Sequence, residues 1–210
     1  MRLAIALLGL AAGGDARADR YEAVASAQPI VAASALPEAG AASTMTVGGG
    51  LAVGFAWGIR NWLDVGGQLS GIAFVPAHYR GATEQIEGTP YMGPMTRTTR
   101  LTMAQVGGTV RLGIAWVPTI YVGLGAGTRL RTTGAFSPET AGGTFRADGA
   151  GAATTLDVSG TLRVGLDRRL GARWSVGVTA GATHYLGRGA PDLNVFDGQL
   201  AVAYRWYPLW

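Results

Sequence analysis

The side chains that could do chemistry in this sequence are mainly arginines and aspartates, which recur at every second position of otherwise apolar segments. An alternation with a period of two places charged and apolar side chains on opposite faces of a β-strand. On an enclosed face such charges must pair, because an unpaired buried charge is strongly destabilising. The predicted polar network comprises Asp64, Gln68, Arg111, Arg129, Arg131, Asp157, Arg163 and Arg205.

Other chemistry has few candidate residues. The chain has no cysteine and two histidines, His78 and His184, so no thiolate nucleophile or thiolate metal site can form. Metal ligands with convergent spacing are not visible. The glycine runs "VGGG" and "AGG" have no lysine or helix behind them, so they do not predict phosphate-binding loops. We therefore expect no catalytic residue, no cofactor and no metal site.

Composition restricts the class of protein. The 210 residues suggest one domain, and the 14% of charged residues is low for a protein against a typical ~25%. A mean hydropathy of +0.22 is too mild for a bundle of membrane helices. No dense Lys/Arg tract accompanies the net charge of +4, so the sequence does not predict nucleic-acid binding.

The N-terminus has the features of an export signal. Arg2 precedes the apolar run "LAIALLGLAA", and "ARA" at 16–18 supplies small residues at a cleavage site. The sequence thus predicts a signal peptide over 1–18 and a mature domain over 19–210. An anchor helix is the alternative, which the shortness of the apolar run disfavours against the ~20 residues that a span needs.

Period-two patterns predict an all-β chain. Short connections at 58–61, 117–118 and 167–173 alternate with long ones at 76–97, 133–152 and 186–194. If both termini lie at the short-turn end, one further strand is needed, and 21–36 is the available segment. Its Pro29 favours an edge or a bulge. The seven clear strands are 44–57, 62–75, 106–116, 119–132, 154–166, 174–185 and the segment ending at Trp206.

About eight such strands would form a closed up-and-down antiparallel barrel. All mid-strand charges fall on the polar faces, so the apolar faces must point outward, towards lipid. A soluble barrel would need the opposite arrangement. The prediction is a transmembrane barrel with a filled polar lumen, which Glu22 or water would help to neutralise. A tight turn at 117–118 would place Arg111 opposite Gly125 and Gly107 opposite Arg129. A narrow anion-conducting pore remains an alternative.

The tryptophans all flank short turns or the C-terminus. An indole prefers the boundary between lipid and water, so tryptophans at one end of a barrel indicate a membrane girdle. Trp62 has inward parity and could instead cap the barrel. The predicted periplasmic girdle consists of Trp57, Trp116, Trp174 and Trp206.

These features resemble the small eight-stranded outer-membrane β-barrels of Gram-negative bacteria. The resemblance covers 19–210 and implies a location in the outer membrane, with outer-membrane lipid and the barrel-assembly machinery as partners, and a monomer. In that family the last strand ends in an aromatic residue that the machinery recognises. Pro208 departs from the pattern. The residues that match it as an insertion signal are Val202, Tyr204, Trp206 and Trp210.

The predicted function is a structural envelope role or a surface interaction through the long loops, because loops on a rigid scaffold carry binding. No ligand of the loops can be named from the sequence. Some outer-membrane barrels are lipid-modifying enzymes with a His and a Ser near the outer rim, which is the alternative. His184 is followed by Tyr185 and Leu186, so a His-x-Ser arrangement is absent.

Overall fold

The computed structural model describes residues 21–38, 41–80, 84–86, 89–91, 95–113, 119–138 and 151–208. The predicted signal peptide lies outside this part of the chain and remains a prediction. Within it, no helix is both long and apolar enough to cross a membrane. The strands are β1 Ala23–Glu38, β2 Ala41–Arg60, β3 Leu63–Phe74, β4 Ala77–Arg80, β5 Glu84–Ile86, β6 Thr89–Tyr91, β7 Met95–Leu112, β8 Thr119–Pro138, β9 Gly151–Arg169, β10 Trp174–Gly187 and β11 Leu193–Trp206.

Eight of these strands form a closed antiparallel barrel. The order is β3-β2-β1-β11-β10-β9-β8-β7, and β3 pairs with β7 to close the ring. All neighbours run antiparallel, so the predicted eight-stranded up-and-down barrel is confirmed. The paired residues can be followed from strand to strand around the wall. A path that starts at Gly165 on β9 returns to β9 at Thr155. This displacement of ten residues gives the strands the tilt that barrel closure requires.

The predicted first strand exists as β1, but it is not an edge. β1 pairs with β2 throughout and with β11 on its other side. The β1–β11 ladder is interrupted at Gln28 and Pro29, between the pairs Ala27–Val202 and Ile30–Gln199. Proline has no N–H to donate, so this gap in one ladder accommodates it inside a closed wall.

The two ends of the barrel differ in their connections. We call the end with connections 61–62, 113–118 and 170–173 the turn end, and the other the loop end. The predicted loop 76–97 contains β4, which pairs with β7, and the β5–β6 hairpin. Part of the predicted loop 133–152 is strand, because β8 extends to Pro138 and β9 begins at Gly151. The wall therefore extends further at the loop end than the sequence indicated.

The predicted register between β7 and β8 is wrong by four residues. Arg111 pairs with Tyr121, and Gly107 pairs with Gly125. The reason is the length of the connection. β7 ends at Leu112 and β8 begins at Thr119, so the turn is not the two-residue turn that the prediction assumed.

Side chains alternate between the two faces as the sequence predicted. Leu124 and Leu156 on the exterior are 74% and 73% exposed, whereas Asp157 between such positions is 3% exposed. Large apolar side chains are exposed on the outside of all eight barrel strands. The charged faces line the interior, so the described part of the barrel has an apolar exterior and an ion-paired lumen.

Candidate functional site

In the described part of the lumen the ion pairs form four groups, and the first group lies at the turn end. Glu22 accepts hydrogen bonds from Arg205 at 2.8 Å and from Arg169 at 3.0 Å. The side chains of Glu22 and Arg205 are each 1% exposed. The Nε atom of Arg205 also donates to the Ser175 hydroxyl at 3.1 Å. This group ties β9, β10 and β11 to the residue that precedes β1.

The second group crosses the lumen between β3, β7, β8 and β9. Arg111 donates to Asp64 through Nε and Nη2, and its Nη1 lies 3.3 Å from Asp167 Oδ2. The Tyr121 hydroxyl donates to that same oxygen at 2.7 Å. One guanidinium thus bridges a carboxylate of β3 and a carboxylate of β9, which prevents either from being a buried unpaired charge.

The third group lies in the middle of the lumen. Arg163 binds Asp197 in a bidentate manner, with Nε to Oδ1 at 2.8 Å and Nη2 to Oδ2 at 3.0 Å. The Gln199 amide donates to Asp197 Oδ1 at 3.0 Å. A planar guanidinium matches a carboxylate in this geometry, which makes such pairs strong and directional.

The fourth group lies towards the loop end, on β8 and β9. Arg129 Nη2 donates to Asp157 Oδ1 at 2.7 Å, and its Nη1 donates to the Pro191 carbonyl at 2.9 Å. Arg129 Nε and Asp157 Oδ2 are buried and have no hydrogen-bond partner. Arg131, two residues further along β8, donates from Nη2 to the Pro37 carbonyl at 3.1 Å.

Glycines on the lumen face of β10 make room for the charges of β9. Gly177 pairs with Asp167, Gly181 with Arg163, and Gly187 with Asp157. A Cβ atom added at Gly181 would meet the Arg163 side chain and the Leu162 carbonyl at distances that real Cβ atoms do not show. The spacing of these glycines therefore fits the ion pairs beside them.

The predicted polar network is thus found inside the barrel. All of its arginines and aspartates face the lumen, and Gln68 donates to Gln28 at 3.0 Å. The predicted network lacked Asp167, Arg169, Asp197 and Tyr121. The prediction placed residues 167 and 169 in a connection and began the last strand near Gln199. Extending the same alternation by one or two positions in each strand would have included both aspartates.

An apolar cluster occupies part of the loop-end half of the lumen, which the prediction of a filled polar lumen did not include. Tyr79 on β4 reaches across it, and its hydroxyl donates to the Leu36 carbonyl at 3.1 Å. The period-two pattern did not predict this cluster. Its members lie on the lumen-facing side of their strands, and nearer the turn end the same side carries polar residues. The apolar cluster is Ile30, Ala32, Leu36, Ala52, Ile72, Phe74, Ala77, Tyr79, Leu101, Met103, Tyr185, Leu193 and Val195.

Cavities remain on both sides of the apolar cluster. At the turn end a cavity of about 100 Å³ is lined by the second ion-pair group and by glutamines and glycines. A space of about 30 Å³ lies in the middle of the lumen. At the loop end a cavity of about 180 Å³ is lined by Leu36, Pro37, Thr99, Leu101, Arg129, Arg131, Ala153, Thr155, Gly189, Ala190, Pro191 and Leu193.

The loop-end cavity lies where the barrel wall becomes incomplete. The β9–β10 ladder ends at the pair Asp157–Gly187, while β9 continues in its ladder with β8 up to Gly151. The connection 188–192 occupies the place of the missing strand, and it contributes Gly189, Ala190 and Pro191 to the cavity wall. Backbone from this connection therefore meets arginines from β8.

A cluster of aromatic residues from β2, β10 and β11 lies on the outside of the turn end. Trp206 lies 6.1 Å from Phe55 and 6.0 Å from Tyr204, and Trp174 lies 5.1 Å from Tyr204, measured between ring centroids. Trp57 occupies an outward position on β2, and Val202 is exposed on β11. Trp116 and Trp210 lie outside the described residues, so their predicted roles in the girdle and the insertion signal remain predictions.

The inward parity predicted for Trp62 is wrong. Trp62 is 54% exposed and lies in the turn between β2 and β3. A side chain in a turn does not follow the alternation of the strand that comes after it. Trp62 therefore does not cap the lumen.

The histidines lie outside the lumen. His184 is exposed on β10, and its Nδ1 lies 2.7 Å from the Asn194 amide oxygen. His78 is exposed on β4, and its Nδ1 lies 3.2 Å from the Thr98 hydroxyl. Across the described segments, no cluster of three or more histidine, aspartate or glutamate side chains could hold a metal ion.

Comparisons with known proteins found similar solved structures at low sequence identity. The sequence matches no protein-family model and no curated protein. Similar solved structures include Ail, the attachment invasion locus protein of Yersinia pestis, with 16% identity over 89% of this chain and 99% of that one, at a TM-score of 0.44. Neisserial surface protein A has 12% identity over 89% and 97% of the two chains, at 0.42. OprG of Pseudomonas aeruginosa has 11% identity over 92% and 100%, at 0.36. Identities this low concern the fold alone.

Proposed function

We propose that this protein is an integral barrel of the Gram-negative outer membrane with a structural or surface-interaction role. The observation that carries the proposal is the exposed apolar exterior, which includes Val31 at 71% and Leu124 at 74%. Monomeric soluble proteins rarely expose contiguous apolar patches beyond a few hundred Å². Lipid is the solvent for which such an exterior is suited, and a closed barrel satisfies its backbone hydrogen bonds there.

The aromatic residues support an orientation with the turn end in the periplasm. Tyr204, Trp206 and Trp174 cluster on the outside of that end, where the headgroup boundary would lie. β11 would present Val202, Tyr204 and Trp206 to the assembly machinery. We take the protein to be a monomer, because closure leaves no free barrel edge that another chain must cover.

We propose that the barrel does not conduct. Four groups of ion pairs fill the polar part of the lumen, and the apolar cluster lies between the turn-end and loop-end cavities. An eight-stranded barrel has an interior just wide enough for side chains to fill. Ions would have to break buried ion pairs and then cross apolar side chains that offer no ligands.

We also propose that the protein is not an enzyme. Through Nδ1, His184 bonds to an amide oxygen and His78 bonds to a hydroxyl. Neither nitrogen is held by a carboxylate of the kind that orients a catalytic base. The role then falls to the loop end, where the wall extends beyond β10 and β11 and where the apolar cavity opens.

Fractionation tests the location directly. We expect the expressed protein in the outer-membrane fraction, with a band that shifts on a gel after boiling. Recovery as a stable soluble periplasmic protein would overturn the proposal. In planar bilayers, we expect the purified barrel to show no steady conductance, and defined channel openings would revive the pore.

A further inference from the structure

We infer that the loop-end cavity is a binding site for a small monoanionic molecule with an apolar body, such as a carboxylate that carries an aromatic ring or a short alkyl chain. The inference rests on the proposed function in one respect, because it assumes that the loop end faces the cell exterior. The site itself is defined by two arginines and the apolar walls around them.

The size of the cavity sets the size of the ligand. An engineered apolar cavity of ~150 Å³ in another protein is sufficient to bind benzene. The loop-end cavity of about 180 Å³ therefore holds one ring or a short chain, plus a small polar group. Longer molecules would have to extend beyond it.

The walls specify an apolar body. Leucine side chains come from three directions, with Leu36 on β1, Leu101 on β7 and Leu193 on β11. Pro37, Pro191 and two alanines complete the apolar surface. Each of the three leucines is at most 4% exposed, so these side chains are held in place by the apolar cluster beneath them.

The arginines specify the charge of the ligand. Arg129 and Arg131 both line the cavity, and none of the described residues in its wall is an aspartate or a glutamate. Arg129 is 6% exposed, and its Nε–H is buried without a partner. A carboxylate oxygen in the cavity would satisfy this donor, and a charge-assisted hydrogen bond is stronger than a neutral one.

The two guanidinium groups are also held in position. Arg129 is fixed by Asp157 and by the Pro191 carbonyl, and Arg131 is hydrogen-bonded to the Pro37 carbonyl. Pre-positioned donors bind a ligand at a smaller entropic cost than mobile ones. The Thr155 hydroxyl in the wall can contribute a further polar contact.

The remaining alternatives fit less well. A cation would meet two arginines, and no aspartate or glutamate among the described residues lines the cavity. A neutral ring would leave the Arg129 Nε–H unsatisfied, which costs free energy in a buried site. The apolar cluster on the side of the turn end argues for a binding site and against a passage through the barrel.

The experiment titrates the intact barrel with matched small molecules. The folded protein in phosphatidylcholine nanodiscs is titrated with benzoate, benzyl alcohol and benzylammonium, and binding is followed by calorimetry and by NMR. These probes share one ring and differ in charge. We expect saturable one-to-one binding of benzoate, at least roughly tenfold tighter than that of the alcohol, and no binding of the ammonium.

Two variants give the structural control. Arg131→Gln removes a cavity charge, while Arg100→Gln removes an exposed, outward charge of β7 that does not line the cavity. We expect the first to weaken benzoate binding by roughly tenfold or more and the second to leave it unchanged. Heat-modifiable migration confirms that each variant is folded.

Several results would overturn the inference. They are equal affinities for benzoate and benzyl alcohol, equal weakening by the two variants, or no saturable benzoate binding at millimolar concentration. If Arg131→Gln does not fold, Leu101→Trp fills the cavity from its apolar side, and undiminished binding to that variant would also contradict the site. These outcomes are independent of fractionation, so a failure of the site is distinguishable from a failure of the proposed membrane location.

Discussion

The turn-end and loop-end halves of the lumen are filled by different kinds of side chain. In the turn-end half, Glu22 and Arg111 each hold two partners of opposite charge. In the loop-end half, leucines, isoleucines and two buried tyrosines belong to an apolar cluster that leaves a cavity beside Arg129 and Arg131. One half therefore fills its interior with ion pairs, while the other leaves the cavity that we propose as a binding site.

The largest difference that we expect between the two ends is the effect of a deletion on barrel assembly. Deleting residues 207–210 should abolish assembly, because the closing strand would lose its proposed recognition signal and the end of its aromatic cluster. Removing four residues from the 139–150 connection at the loop end should be tolerated. The measurement is the yield of heat-modifiable protein in the outer membrane. Normal yield from the first deletion would show that residues 207–210 are not an insertion signal.

Within the lumen, the largest loss of stability should come from the turn-end half. Glu22→Leu leaves Arg205 and Arg169 without their shared carboxylate, and we expect a loss of ~3–5 kcal/mol in the free energy of unfolding. Asp192→Leu is the matched control, because Asp192 is exposed in the 188–192 connection. Its effect should stay within ~0.5 kcal/mol. Urea unfolding in lipid vesicles gives both values, and equal effects would contradict the ion-pair account.

The matching change beside the cavity should cost less. Asp157→Leu removes the carboxylate partner of Arg129, and we expect a loss near the lower end of the same range, ~3 kcal/mol. The cavity beside Arg129 allows water or an added anion to reach the guanidinium. Added benzoate should therefore stabilise this variant more than it stabilises Glu22→Leu. An unchanged unfolding midpoint for Asp157→Leu would show that the carboxylate is not buried.

A smaller effect should come from the glycines of β10. Gly181→Val forces a side chain against Arg163, and overpacking of this kind costs ~1–3 kcal/mol. Gly198→Val on β11 is the control, because a Cβ there meets just one atom within 4 Å, the Thr179 carbonyl oxygen at 3.9 Å. Unfolding midpoints of the two variants measure the difference. A larger loss of stability for Gly198→Val than for Gly181→Val would mean that the glycines inside the lumen are not needed to make room for the ion pairs.

The sequence predicted the architecture well because one physical signal repeats along the whole chain. The alternation that places Leu162 outside and Arg163 inside recurs on every clear strand, and strand number and closure follow from it. The alternation could not predict the register between β7 and β8, because it specifies which face a side chain occupies and not which residue of the next strand pairs with it. A different turn length moved Arg111 from Gly125 to Tyr121 without changing which face either occupies.

The loop-end cavity could not be predicted for a related reason. Leu36, Leu101 and Leu193 are far apart in the sequence, and each follows the parity of its own strand. Their convergence on Arg129 and Arg131 depends on the tilt of the barrel and on the early end of β10 at Gly187. The sequence predicted that Arg129 and Arg131 lie in the lumen. No local sequence feature predicted that these two arginines would line a cavity.

The most direct test of the central claim is a spin-label scan along β8. Single labels at 120, 122 and 124 should be accessible to oxygen dissolved in lipid and protected from a water-soluble nickel reagent. Labels at 121, 123 and 125 should be protected from both, because their side chains lie in a filled lumen. Alternation of lipid exposure with a period of two is the predicted result. Access of the nickel reagent to residues 120, 122 and 124 would place the exterior in water and contradict the membrane barrel.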